Sequence, residues 1–242
     1  MRSTAAYPAR LHYTKHGKVR FLGHRDVARN LERAFRITRL PLAFSEGFNP
    51  HPKISFGLAL TTGFESDAEY LDVEFTAAVD LLALPAELTD ALPDGLDVVA
   101  AAWLDERAPA LQEAVTSVVW RLHVVDADDL PADARAVSRA VEIALAAPRI
   151  ECTKVRKGRT QTDDIRPCIR RIAIVDTTSG RGPLLELELT SRGVKPAEVM
   201  AAIGPFAAAH GRRTHQYIER DGVRHSPLHV DVRARIAEAI AS

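Results

Sequence analysis

The sequence predicts an α+β protein of two tandem ferredoxin-like (βαββαβ) units with antiparallel sheets, followed by a C-terminal helix. Three observations carry this expectation. Residues 68–75 (AEYLDVEF) alternate apolar and acidic side chains, as an antiparallel strand with one wet face does. Elements then succeed one another as strand, helix, strand, strand, helix, strand, and that order starts again after residue 113. Between the two runs, residues 105–113 are charged and contain Pro109, which marks a linker. The expected units are 8–105 and 114–222, with 223–242 as a helical tail. No residue-level repeat relates the halves, so the tandem reading rests on element order, and a single larger α+β domain is the alternative.

Taken in order, residues 9–14 alternate weakly and read as a strand, and 15–18 as a turn into a short strand over 19–22. A helix begins near Arg25. At about 100° per residue, Arg25, Arg29, Arg33 and Arg36 share one stripe, while Val27, Leu31, Ala34 and Phe35 fall opposite. A short apolar strand at 41–44 leads to a loop over 45–53, then strands at 54–60 and 68–75. A helix over 81–92 has Asp80 as its cap, and Pro85 suits only its first turn, which argues for a later start. A strand at 96–104 closes the unit. The second unit reads as a strand at 115–125, a helix within 126–147, a strand at 150–155 and a basic loop at 157–166. Strands at 167–175 and 184–190, a helix at 195–203 with Pro196 in its first turn, and a strand at 214–220 follow. Residues 230–241 are the expected C-terminal helix.

The chain of 242 residues has room for a real core, and its two cysteines, Cys152 and Cys168, suffice for neither a disulfide framework nor a four-thiolate metal site. They read as reduced core thiols facing each other on the two arms of one hairpin. No apolar run approaches the roughly 20 residues that span a bilayer, and the N-terminus lacks a signal-peptide core. A cytoplasmic protein without membrane contact is the expectation. A formal net charge of zero hides segregation: residues 1–60 hold 11 Lys/Arg against 3 Asp/Glu, residues 61–115 hold 1 against 13, and residues 151–181 hold 8 against 4. Basic blocks flanking an acidic one suggest a nucleic-acid face with an acidic back.

Two basic clusters are candidate phosphate contacts. The first is the stripe Arg25, Arg29, Arg33 and Arg36, with Phe48 and Lys53 in the Pro-rich loop that follows. The second is Lys154, Arg156, Lys157, Arg159, Arg166, Arg170 and Arg171 on a hairpin around Gly158, with Asp163 and Asp164 as local anchors. Arg212, Arg213, His215, Tyr217 and Arg220 form a third basic-aromatic cluster. His24 at the helix start and His51 in the loop are candidates for acid–base cleavage of a phosphodiester. His12 and His16 lie on a strand running into a turn, which does not suit a zinc pair. The acidic residues Glu65, Asp67, Glu69, Asp72 and Glu74 read as a wet sheet face rather than a metal site. No metal and no cofactor is expected.

The segments Phe21-Leu22-Gly23-His24-Arg25-Asp26, Ser45 to Phe56 (SEGFNPHPKISF), and Lys157 with Asp164-Ile165-Arg166-Pro167 resemble the radical SAM-associated domain family of unknown function, over about residues 8 to 220. That resemblance implies a link to RNA or ribosome metabolism. It also implies a radical SAM protein or an RNase E/G-type ribonuclease as partner, and it assigns no activity. No C-x-x-x-C-x-x-C motif is present, so any radical chemistry would belong to the partner. The leading expectation is an RNA-binding accessory protein. The alternatives are an RNA-processing or RNA-modifying enzyme using His24 and His51, and a protein–protein adaptor docking through Glu65, Asp67 and Glu69.

Overall fold

The computed structural model describes residues 6–105, 108–156, 158–178 and 180–233, leaving aside the side chains of Val155, Arg156 and Arg159. The chain divides into two units, residues 1–115 with 217–242, and residues 116–216. The expected boundary at 222 is therefore replaced by a return of the chain to the first unit from Tyr217 onward.

The first unit holds strands β1 (Tyr7–Lys15), β2 (Ile54–Phe56), β3 (Glu65–Phe75) and β4 (Leu96–Trp103), with helices α1 (His24–Ile37), α2 (Leu84–Asp90) and α3 (Leu111–Ala114). The strand order is β4-β1-β3, with β2 paired to β3 and every pairing antiparallel. Because strand side chains alternate, Ala9, Leu11 and Tyr13 share one face with Leu71, Val73 and Phe75. Val27, Leu31, Ala34 and Phe35 of α1 and Leu84 and Leu88 of α2 close the core on that face. Edge-to-face pairs Phe35–Phe75 at 6.4 Å and Phe75–Trp103 at 6.2 Å tie the helix to the sheet. On the opposite face Arg10 stands across from Asp72, and His12 from Tyr70.

Several expected elements differ. Residues 19–22 are not a strand: Gly17–Phe21 is a 3₁₀ turn, because the Lys15 ammonium takes the Arg20 and Leu22 carbonyls that a strand would offer a neighbour. Residues 41–44 make only isolated bridges, Leu42 to Phe75 and Phe44 to Pro52. The strand expected at 54–60 stops at Phe56. Helix α2 starts at Leu84 with Pro85 in its first turn, and Asp80 closes a turn onto the Leu82 amide instead of capping the helix. The expected linker contains α3.

The second unit holds β5 (Ser117–Val125), α4 (Ala134–Ala146), β6 (Glu151–Arg156), β7 (Arg159–Asp164), β8 (Ile169–Asp176), β9 (Leu184–Thr190), α5 (Pro196–Ile203) and the first part of β10 (Ala207–Arg220). Here the order is β10-β5-β9-β8, and β6 and β7 pair with each other as a separate ribbon. The expected loop 157–166 is thus a second strand. Its polar, Thr-rich RTQTDD stretch lacks an apolar face, yet Thr160 and Thr162 favour extended backbone, and Gly158 at φ 75° turns the ribbon. Cys168 falls in a 3₁₀ turn (Arg166–Cys168), so the two thiols do not face each other on hairpin arms. Both are free cysteines; Cys152 is buried and Cys168 partly so.

The end of β10 forms a hairpin with β11 (Val223–His225) in the first unit. Residues 230–233 are not helical. Val232 bridges Leu104, and Asp231 binds Arg220 through both carboxylate oxygens at 2.7 and 2.6 Å. The rest of the expected C-terminal helix, 234–241, lies outside the described residues.

Candidate nucleic-acid interface

Helix α1 fixes the first cluster. Its apolar residues are drawn into the core at helical spacing, which turns Arg25, Arg29, Arg33 and Arg36 outward, and all four are exposed. Asp26 reaches Arg29 at 3.6 Å. Among the described residues Arg25, Arg33 and Arg36 make no ion pair. Eleven residues at 1.5 Å each spread these charges over about 16 Å. Arg39, exposed just past the helix, extends the series and was not signalled by helical spacing.

The helix start is held from below. Lys15 is buried, and its Nζ donates to the Leu22 carbonyl at 2.7 Å and the Arg20 carbonyl at 3.2 Å, just ahead of the Gly23 cap. Burial pushes its pKa down, while Glu69 opposes that fall. The same turn presents Phe21, 64% exposed, with the Arg20 guanidinium 4.8 Å above its ring. Neither residue was singled out from sequence, where Phe21 read as part of an apolar strand.

The Pro-rich loop closes on itself. Ser45 donates its amide to the His51 carbonyl at 2.8 Å, and the His51 amide donates to Ser45 Oγ at 3.0 Å. Its base is tied to β3 by the Ala43 amide on the Glu74 carbonyl and the Glu74 amide on the Lys53 carbonyl. Phe48, between Gly47 at φ 129° and the two prolines, is fully exposed at 103%. Lys53 is a different matter. Its Nζ lies 2.7 Å from Glu74, and that hydrogen bond holds the ammonium above its ordinary pKa, so Lys53 is an anchor with its charge matched. His24 and His51 are both exposed, and no hydrogen bond or ring contact joins them among the described residues. His24 instead meets Phe56 edge-on at 5.3 Å.

In the second unit the described cations of this cluster, Lys154, Arg166, Arg170 and Arg171, are committed. Lys154 Nζ lies 3.0 Å from Glu198 and donates to the Gly193 carbonyl at 3.1 Å, with its side chain 11% exposed. Burial raises Glu198, but the Lys195 amide and the Lys154 ammonium outweigh it and hold the carboxyl low. Arg166 turns to the Ile169 and Leu145 carbonyls, and Arg171 pairs with Glu186 at 3.2 Å. Arg170 is exposed and has a partner of its own. The side chains of Arg156 and Arg159, and all of Lys157, lie outside the described residues. Asp164 does anchor the ribbon, accepting from the Ile150 and Arg166 amides at 3.0 Å each, which holds its carboxyl low. Arg213 of the third cluster is buried over the Trp120 ring at 4.8 Å, a core contact rather than a surface one.

The acidic strand is not a wet face. Arg10, fully buried, grips Asp72 at 2.7 and 2.9 Å and donates to the Pro227 carbonyl at 3.0 Å. Glu69 is buried, which removes it from any docking face. Asp67 takes His16 at 3.1 Å, and Glu65 accepts the Gly17 amide at 2.9 Å. The strand's acids serve the basic strand beside it, a pairing invisible without the register. Among the described residues no group of three His, Cys, Asp or Glu could hold a metal ion. Likewise no helix there is long and apolar enough to cross a membrane.

A family model described as "Uncharacterized protein conserved in bacteria (DUF2344)" matches residues 9–197. No curated protein matches the chain. Solved structures with similarity include a Cbf5-Nop10-Gar1 complex, with TM-score 0.46, 12% identity, 86% of this chain and 48% of that chain covered. Another is an H/ACA RNP bound to a substrate RNA containing 2'-deoxyuridine, at 0.44 and 11%, covering 88% and 47%. A third is an archaeal box H/ACA sRNP Nop10-Cbf5 complex, at 0.41 and 13%, covering 85% and 46%. The chain spans about half the length of each, and likeness at this level decides nothing about function.

Proposed function

The chain belongs to the DUF2344 family, and from the first unit's geometry we propose that it is an RNA-binding accessory protein gripping phosphates with α1. The observation that carries this is the arginine stripe: four outward guanidiniums on one helix face, with Asp26 at Arg29 their one ion-pair partner among the described residues. Permanently charged, weakly hydrated and rich in donors, arginine suits phosphate better than any other side chain. Four phosphates neutralised on a single strand set a slope of about −3 in log affinity against log salt. Raising salt from about 50 to about 200 mM then weakens binding by about 50-fold. Filter binding measures this, and absence of RNA affinity at the lower salt would end the reading.

The finer expectations stay attached to this reading. Each unit places its first strand between its third and last, which supports tandem ferredoxin-like units, the β6–β7 ribbon being an insertion in the second. Cross-strand proton contacts in NMR spectra that set another strand order would remove that. A radical SAM protein or an RNase E/G-type ribonuclease is the partner that the resemblance implies. Affinity capture of the tagged chain from a bacterial lysate tests it, and recovery of neither enzyme counts against it. Turnover of RNA that survives His24→Ala and His51→Ala unchanged would dispose of the enzyme alternative as assigned.

A further inference from the structure

We infer that the RNA taken by this surface is single-stranded, with Phe21 and Phe48 as base-stacking platforms flanking the arginine stripe; this rests on the phosphate-gripping role of α1. Of three exposed phenylalanines here, Phe44 at 52% is bridged to Pro52 at the loop base, while Phe21 at 64% and Phe48 at 103% stand in water. Scattered exposed apolar residues are common, but these two are held out by built features. Phe48 crowns a loop closed by the Ser45–His51 pair of hydrogen bonds and stiffened by Pro50 and Pro52. Phe21 rides on the turn that Lys15 clamps, with Arg20 over its ring. The chain brackets the stripe between them: Phe21 precedes α1 by three residues, and the Phe48 loop opens after the helix exit, where the Leu40 amide returns to the Phe35 carbonyl.

The two classes of RNA make different use of such a surface. In a duplex each base face is covered by its neighbour, and the deep groove is closed to side chains, so exposed rings gain nothing. A single strand splays its bases, and a base on an aromatic ring gains about five-fold or more in affinity. The stripe suits the same strand. Over about 16 Å it offers that strand a row of guanidiniums to run along. Phosphates then run along α1, with one ring just ahead of the helix in the chain and the other in the loop that follows it.

The test compares a single-stranded RNA of about 12 nucleotides, long enough for one such site, with a duplex of the same length, using the full chain. The expected result is tighter binding of the single strand by about five-fold or more. Phe21→Ala and Phe48→Ala should each weaken it by a similar factor, with an unchanged salt slope, since no phosphate contact is lost. Both rings are exposed, so the variants should melt as the parent does. A duplex bound equally or better, or a double variant that keeps its single-strand affinity, overturns the inference and leaves phosphate gripping standing. Failure of both RNAs to bind at about 50 mM salt would instead take down the α1 reading itself.

Discussion

Arg10 and Asp72 show what single residues contribute to this surface. The guanidinium is fully buried, and its donors go to both Asp72 oxygens and to the Pro227 carbonyl. Arg10→Met should cost about 2–3 kcal/mol in chemical denaturation, because it leaves the largely buried Asp72 carboxylate without its cation. A loss under about 1 kcal/mol would mean that water reaches Asp72 freely. His12 gives the pH dependence. Burial holds its pKa below the ordinary value, against the Asp67 carbonyl that its Nε2 meets at 2.7 Å. A folded pKa below the unfolded one means that stability is complete above about pH 6.5 and falls as pH drops toward the folded value. His12→Asn should therefore lose less stability than the parent between about pH 7 and about pH 5, read as urea midpoints. Equal losses would remove His12 from that account. None of this was legible in the sequence. Arg10 looks like any polar strand position until the register sets Asp72 opposite it, and register depends on contacts more than 50 residues apart.

At the scale of elements, helix α1 was legible together with the direction of its charges, while the β6–β7 ribbon was legible only as a hairpin around Gly158, for one physical reason. A helix declares its faces through local spacing, so the apolar set at Val27, Leu31, Ala34 and Phe35 already fixes where the arginines point. A strand charge is answered by what packs against it from elsewhere in the chain: Lys154 meets Glu198, which arrives from α5. The two cases predict opposite outcomes. Replacing Arg25, Arg29, Arg33 and Arg36 together by Gln removes like-charge repulsion at i,i+4, worth about 0.2–0.5 kcal/mol per pair. The variant should melt no lower than the parent and lose its salt-dependent RNA affinity. Lys154→Ala should do the reverse, lowering stability by about 1 kcal/mol and leaving affinity alone. An arginine variant that unfolds, or a Lys154 variant that stops binding RNA, would exchange the roles assigned to the two elements.

For the whole molecule, net charge is uninformative: the formal charge is zero, so attraction to RNA has to come from where charge is placed. Placement depends in turn on a unit made from two distant stretches of chain. The returning stretch gives the Pro227 carbonyl to Arg10, Ser226 to the Tyr70 hydroxyl at 3.3 Å, and Val232 to the bridge with Leu104. A fragment ending at Val115 keeps every arginine of α1 but leaves the Arg10 guanidinium and the Tyr70 hydroxyl without these partners. Each unsatisfied buried group costs about 1–3 kcal/mol, enough together to remove much of a marginal stability. The fragment should therefore melt well below the full chain and bind RNA only where it stays folded, followed by circular dichroism and filter binding on one sample. Should it melt with the full chain, residues 217–233 would be dispensable to the first unit, and the arginine stripe would be carried by the N-terminal stretch alone.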